Sequence, residues 1–186
     1  MEEKELIEKA KRGDKKALSE IVKRYEQTIY NFSFKICRDK NKAELIMQET
    51  FYSMVRSLHQ FDHNSKLSTW LYRIVSNHCL MMARKLKSRS FVSFDDDDNL
   101  FEEKFTADWS SLPYRNLENE ELKKILDKAI QRLAPEYRMV FLLRDVEGLS
   151  TEEAAQVTDL SVAALKSRLH RARAFLRKEL NEALNK

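Results

Sequence analysis

The sequence is poor in the residues that interrupt regular structure, with only two glycines and two prolines among 186 residues. Architectures built from strands and tight turns need many such residues, so their scarcity predicts an all-α chain. The sequence also lacks any run of about 18 uninterrupted apolar residues, the length of a membrane span. Its charged N-terminus has no apolar segment of signal-peptide length. We therefore expect a cytoplasmic protein with no membrane insertion.

Cysteine is equally scarce, and neither cysteine nor histidine suggests a metal site. Cys37 and Cys79 have no paired spacing, which favours two buried free thiols in a reducing compartment. His59 and His63 are one helical turn apart, but the residues that follow indicate a loop, and no third ligand has suitable spacing. The four acids at 95–98 indicate solvated charge rather than a metal site. We expect no metal, no cofactor and no enzymatic activity.

Positive charge, by contrast, is abundant and gathered in two blocks. Residues 66–89 contain six Lys or Arg and no acid, and residues 166–178 contain six more, again without an acid. Between the blocks, residues 95–121 contain ten acids and only two basic residues. Two basic blocks separated by an acidic stretch are typical of a protein that contacts a polyanion at two places.

Apolar residues at steps of three and four predict three long helices in the first half of the chain, over 18–36, 46–58 and 67–86. Gly13 ends a short helix before them, Asp14 can cap the first long one, and Ser68 or Thr69 can cap the third.

The periodicity stops at residues 88–116, where acids, serines and a proline mix with aromatic residues as in a flexible linker. Helices resume at Leu117, and Pro135 is suited to the first position of a helix that runs to Gly148. The predicted architecture is therefore two small helical domains, 1–89 and 117–186, joined by a flexible acidic linker, 90–116.

The second domain contains a helix-turn-helix pattern. Ser150 and Glu153 form a capping box that starts a helix at Thr151, and Ser161 can cap a second helix after a short turn. Such a second helix enters the DNA major groove. Its core side carries Leu165, Leu169, Ala172 and Leu176. The opposite side carries Ala163, Lys166, Ser167, His170, Arg171, Ala174 and Arg177, with Arg168 and Arg173 flanking it and suited to backbone phosphates.

These residues carry a family resemblance. Residues 149–176, LSTEEAAQVTDLSVAALKSRLHRARAFL, resemble the fourth conserved region of extracytoplasmic-function sigma factors, a branch of the sigma-70 family of bacterial RNA polymerase. That region binds the −35 promoter element as duplex DNA. The sequence departs from many relatives at Ser161, Ala163 and Ala164. The resemblance implies −35 contacts by Lys166, Ser167, Arg168, His170, Arg171 and Arg173.

The first domain resembles the same family independently. Residues 68–89, STWLYRIVSNHCLMMARKLKSR, are similar to its second region, and the preceding loop, FDHNSKL, corresponds to one that captures an unstacked base of the −10 element. Aromatic stacking, basic side chains and exposed hydrogen-bonding groups suit a single strand. For Trp70, core packing is the alternative to base stacking. The resemblance implies −10 contacts by Phe61, Lys66, Arg73, Asn77, Arg84 and Lys85.

Residues 43–54, AELIMQETFYSM, match the helix that in this family binds the β′ coiled coil of RNA polymerase. Gln48, Glu49 and Phe51 fit the pattern, whereas Lys42 and Leu45 replace the usual acids. The implied function is that of a sigma factor that directs RNA polymerase to specific promoters and assists promoter opening. The implied partners are the polymerase core, through its β′ and β subunits, and promoter DNA, with an anti-sigma factor as a further candidate.

Without the family resemblance, the sequence would leave two alternative classes of function to consider. A DNA-binding regulator with an unrelated sensing domain would explain the second domain, but not the basic block in the first. A nucleic-acid enzyme would need a nucleophile or paired carboxylates in a cleft, and the sequence presents neither.

Overall fold

The computed structural model describes residues 2–85 and 120–184, which are helical and contain no strand. This confirms the all-α fold class. The chain divides into two compact units, Met1–Met82 and Ala83–Lys186. No helix within the described ranges is long and apolar enough to cross a membrane. The predicted linker, 90–116, lies outside the described residues, as does the end of the first basic block.

Two of the long helices of the first unit start at aspartate caps, Asp14 and Asp39. Gly13, with φ +86°, makes the turn between the first two helices in a conformation that favours glycine. Asp14 then accepts hydrogen bonds from the amides of Lys16 and Ala17 at 2.8 and 3.2 Å, so the predicted cap is confirmed. The helices are α1 (Glu3–Lys11), α2 (Lys15–Cys37), α3 (Lys40–Ser57) with a 3₁₀ turn at Leu58–Gln60, and α4 (Leu67–Lys85).

The core of this unit lies between α2, α3 and α4. The rings of Phe32 and Tyr72 meet edge to face, with centroids 4.7 Å apart. The predicted caps of α4 are wrong, because the helix begins at Leu67 and therefore contains both Ser68 and Thr69.

The fold also brings together the two cysteines, which are far apart in sequence. Neither cysteine forms a disulfide, as predicted, but only Cys79 is fully buried. A hydrogen bond with Cys37, together with burial, raises the pKa of the Cys79 thiol.

The second unit contains α5 (Glu120–Arg132) and α6 (Pro135–Phe141), with Pro135 in the first turn as predicted. Helical structure continues to Val146, close to the predicted end at Gly148, but its last turn is not α-helical. Leu142–Val146 forms a π-helical turn, in which the amide of Glu147 donates to the carbonyl of Leu142 at 2.8 Å. This extra residue in the turn changes the direction in which the side chains at 144–146 point.

The helix-turn-helix follows, as α7 (Thr151–Thr158) and α8 (Val162–Leu184). The capping box is confirmed: Ser150 Oγ accepts from the Glu153 amide at 3.0 Å, and Glu153 accepts from the Ser150 amide at 2.8 Å. Asp159 makes the turn in the left-handed region, at φ +56°. Ser161 caps α8 by accepting from the amide of Ala164 at 3.1 Å. The start of the second helix is thus fixed where the sequence predicted it.

Candidate nucleic-acid interface

Helix α8 separates a buried side from a charged side. Leu165, Leu169 and Leu176 are at most 6% exposed, and burying each contributes about 1.5–3 kcal/mol. This burial fixes the rotation of the helix, because turning it would expose all three leucines together. The opposite side, called here the basic face of α8, consists of Ala163, Lys166, Ser167 and His170, all of which are exposed.

The three arginines predicted to contact the −35 element are less exposed than the residues of the basic face. Arg168 and Arg171 are partly exposed at its margins. Arg173 forms a bidentate ion pair with Asp145, with its Nε 2.9 Å from Oδ2 and its Nη2 2.5 Å from Oδ1. Asp145 belongs to the π-helical turn. In this structure its guanidinium therefore holds α8 against the π-helical turn, and a contact of Arg173 with a DNA phosphate stays a prediction.

A second tie holds the far end of α8. Arg132 of α5 forms an ion pair with Glu179 and lies over the ring of Phe175, 5.4 Å from the ring centroid. A third arginine, Arg138, is only 5% exposed and donates to the carbonyls of Ile130 and Leu133, each at 2.9 Å. Three arginines of this unit thus hold its helices in place.

Helix α4 presents a polar face of its own. Arg73, Asn77 and Arg84 are exposed, and at about 100° per residue they fall within about 40° of one another around the helix. Leu71, Val75 and Cys79 on the other side are at most 2% exposed. We call Arg73, Asn77 and Arg84 the polar face of α4. Lys66 and Lys85 are also exposed, while Met81 is 52% exposed beside this face.

Phe61, which was predicted to contact DNA, is buried instead. It is 3% exposed and packs against Trp70, with ring centroids 5.4 Å apart. This contact favours the core alternative for Trp70, which is itself partly exposed. The loop that follows, residues 61–66, turns at His63, which has φ +61°. Its exposed members are Asp62, Asn64 and Lys66.

Helix α3 carries an exposed apolar strip that the sequence prediction only partly found. Leu45, Tyr52 and Val55 are 47%, 61% and 50% exposed, on the same side of the helix as Gln48 and Glu49. Together these five residues are called the α3 face.

Phe51, placed with Gln48 and Glu49 by the sequence, is only 9% exposed and packs inward. Tyr52, beside it, was missed, although it follows Leu45 by seven residues and so shares its side of the helix. The guanidinium of Arg56 lies 5.6 Å from the centre of the Tyr52 ring.

Comparison with known proteins decides the family. Residues 21–89 match the sigma-70 region 2 family and residues 123–176 match sigma-70 region 4. The chain is 31% identical over 182 residues to the ECF RNA polymerase sigma factor SigW of Bacillus subtilis, covering 96% of this chain and 97% of that protein. The chain belongs to the extracytoplasmic-function sigma factors.

Further relatives agree with this assignment. The RNA polymerase sigma-H factor of Pseudomonas aeruginosa is 30% identical over 187 residues, covering 98% of this chain and 96% of that protein. The sigma factor RpoE of Bartonella quintana, solved in complex with the anti-sigma factor NepR, superposes with a TM-score of 0.63 at 25% identity. That comparison covers 88% of this chain and 96% of the RpoE chain.

The resemblance drawn from the sequence is thus confirmed. The protein is a sigma factor that directs RNA polymerase to specific promoters, and the unrelated regulator is excluded. The sigma factor's region 2 match contains α3, the loop and α4, while its region 4 match contains α6, α7 and most of α8. Helix α1 precedes both matched regions.

Proposed function

We propose that residues 1–89 of this sigma factor bind the polymerase core and the −10 element, and that residues 117–186 read the −35 element. The observation that carries this proposal is the pair of charged helix faces, on α8 and on α4, each backed by a buried apolar side. One face lies in each of the two matched regions. The linker 90–116 would join the two activities.

At the −35 element, the basic face of α8 enters the major groove. Lys166 and Arg171 supply long cationic groups for guanine edges or phosphates, and Ser167 and His170 supply shorter polar contacts. Exposed Ala163 lets the first turn of the helix approach the bases closely. Arg168 suits a backbone phosphate at the margin of the face. Arg173 acts indirectly, by holding α8 through Asp145.

At the −10 element, the polar face of α4 and the loop 61–66 hold the melted strand. Asn77 offers an amide donor and an acceptor to a base edge. Arg73, Arg84, Lys66 and Lys85 supply positive charge for the strand. Phe61 supports the loop from beneath instead of stacking on a base, because its side chain is buried. Capture of an unstacked base in this way assists promoter opening.

The α3 face is suited to the β′ coiled coil of polymerase. A strip of exposed apolar side chains flanked by polar ones is the kind of surface that a partner helix covers. Leu45, Tyr52 and Val55 provide the apolar area, and Gln48 and Glu49 provide polar contacts beside it. The β subunit is expected to complete the core-enzyme interface.

The remaining proposals concern the setting in which this sigma factor works. It acts in the cytoplasm as an addressing subunit, while the polymerase performs the chemistry. The Bartonella quintana relative was solved with an anti-sigma factor bound. We propose that this chain also binds an anti-sigma factor. Such an inhibitor would block binding to the core enzyme or to the promoter by covering one of the exposed helix faces.

Transcription from a promoter library tests the proposal directly. Core RNA polymerase lacking sigma is mixed with the purified chain, and run-off transcripts are sequenced to find the selected promoters. We expect co-elution with core and enrichment of paired upstream and downstream motifs. Failure to co-elute would contradict the polymerase assignment, and transcripts without a shared upstream motif would contradict the −35 assignment.

A charge reversal tests the α3 face separately. Glu49→Lys is expected to weaken co-elution with core, and Tyr52→Ser to do the same by removing apolar area. Glu20→Lys on α2 is the matched control, since Glu20 is a partly exposed helical glutamate outside the α3 face. Equal binding by all of these variants would remove the α3 face from the interface.

A further inference from the structure

Helix α1 lies before the region 2 match, which begins at residue 21, yet it packs directly against the loop 61–66. Its apolar side is firmly anchored, with Leu6, Ile7 and Ala10 at most 4% exposed. Its polar residues Glu8 and Lys11 are therefore held at fixed positions beside the loop.

A hydrogen-bonded cluster links α1 to the loop. Glu8 Oε1 lies 2.7 Å from His63 Nε2 and 2.9 Å from Lys11 Nζ. Because a carboxylate only accepts hydrogen bonds, Nε2 of His63 must carry the proton that it donates. The hydrogen bonds from His63 and then Lys11 lower the pKa of Glu8 to about 2. The carboxylate is thus charged and paired at neutral pH.

The loop needs such support because its turn is unfavourable for the residue that makes it. His63 has φ +61°, in the left-handed region that few non-glycine residues adopt. Its ring packs against Phe61 with centroids 4.9 Å apart, and Lys11 Nζ lies 5.9 Å from the centre of the Phe61 ring. Glu8 therefore contacts His63 and Lys11 lies over Phe61, two loop residues whose rings pack against each other.

We propose that α1 is a positioning element for base capture, which acts through Glu8 and Lys11 on His63 and Phe61. By holding the left-handed turn, α1 sets where Asp62, Asn64 and Lys66 are presented to the melted strand. Glu8 and Lys11 do not touch DNA themselves and are positioning residues. This inference rests on the proposed −10 role of the loop.

The variants are chosen to break the cluster without disturbing the fold. His63→Asn removes the imidazole but keeps a residue that tolerates the left-handed region. Glu8→Ala removes the acceptor, and Glu8→Gln keeps an acceptor without the charge. Glu5→Ala is the matched control, because Glu5 pairs within α1 with Lys9 at 2.8 Å. Thermal unfolding of each variant measures any loss of stability.

The experiment measures how strongly holoenzyme depends on each base of a melted −10 element. Fork-junction DNA, duplex upstream and single-stranded at −10, is bound with each base in turn replaced by an abasic site. Wild type should show a binding penalty at the captured base. In His63→Asn and Glu8→Ala the misplaced loop should lose its contact with that base, so the abasic site should cost about three- to tenfold less affinity than in wild type. This is the range expected for a hydrogen-bonded contact of about 1 kcal/mol. Glu8→Gln should restore part of the penalty, and Glu5→Ala should match wild type.

Three results would overturn the proposal. Unchanged penalties in His63→Asn and Glu8→Ala would show that the loop positions itself without α1, while leaving the −10 assignment intact. An equal loss in Glu5→Ala, accompanied by a lower unfolding temperature, would reduce the role of α1 to general stability. If no abasic replacement weakens binding of the wild-type holoenzyme, the loop captures no −10 base, and both the proposed −10 role and this inference are contradicted.

Discussion

The two proposed DNA-binding regions differ in what fixes their geometry. In the second unit the contact residues lie on one helix, whose rotation is set by buried leucines and whose ends are held by Ser161 and by arginine ion pairs. In the first unit the contacts come from both α4 and a loop. That loop is shaped by contacts with residues of another helix. The geometry of a helix face is therefore set largely by local sequence, whereas the geometry of the loop depends on tertiary contacts.

The largest effect is expected from cutting the tie between α8 and the π-helical turn. Asp145→Asn removes the charge that pairs with the guanidinium of Arg173 at 2.5–2.9 Å. We expect it to lower the free energy of unfolding by about 1.5–3 kcal/mol, the value of hydrogen bonds to charged groups. Urea denaturation of the full chain measures this loss. The double variant Asp145→Asn with Arg173→Gln should lose little more than either single change, and additive losses would contradict the pairing.

Removing one cation from the basic face should affect binding but not folding. Lys166 is exposed, so Lys166→Ala should leave the free energy of unfolding unchanged. If it makes a paired base contact, promoter binding should weaken by about 1–3 kcal/mol. Arg177→Ala, further along α8, is the comparison and should matter less. Holoenzyme binding to duplex promoter DNA provides the measurement, and equal, negligible effects of both changes would remove α8 from the −35 contact.

Asn77→Ala separates the two regions functionally. Unstacking and unpairing a base costs a few kcal/mol, so loss of the contact that captures it should slow opening while upstream binding persists. Permanganate reactivity of −10 thymines on duplex and pre-melted templates reports the opening. Partial rescue of the variant on the pre-melted template is the expected result. Normal opening of duplex DNA by Asn77→Ala would exclude this residue from the site.

The same contrast explains how much the sequence alone predicted. The caps at Asp14, Ser150 and Ser161 and the basic face of α8 follow from local patterns, and all are present in the structure. The partner of Arg173 could not be predicted, because Asp145 reaches it only from a π-helical turn that leaves no periodic signal. The burial of Phe51 and Phe61 was not predicted for a related reason, because it depends on neighbours that are distant in sequence.

The smallest effect concerns the acid dependence of the contact between α1 and the loop. The pKa of Glu8 is lowered from its ordinary 4.5 to about 2 by its hydrogen bonds to His63 and Lys11. A carboxyl whose pKa is lowered on folding adds stability above its unfolded pKa and loses it as the pH falls through its folded pKa. The contribution should therefore be complete above pH 4.5 and disappear as the pH approaches 2. Because Glu8 is well exposed, the contribution is expected to be small.

Comparing variants isolates this contribution from the other carboxyl groups. The stability difference between wild type and Glu8→Gln should stay constant above pH 4.5 and shrink as the pH falls below it. His63→Asn removes the largest cause of the lowered pKa, so in that background the loss should still begin near pH 4.5 but should be smaller and end at a higher pH. Replacing Trp109 with Phe leaves Trp70 as the single tryptophan, so its fluorescence reports unfolding of the first unit, where Trp70 packs on Phe61. A difference that does not change between pH 5 and 2 would show that Glu8 is not paired with His63 in solution, and that the loop is held by aromatic packing alone.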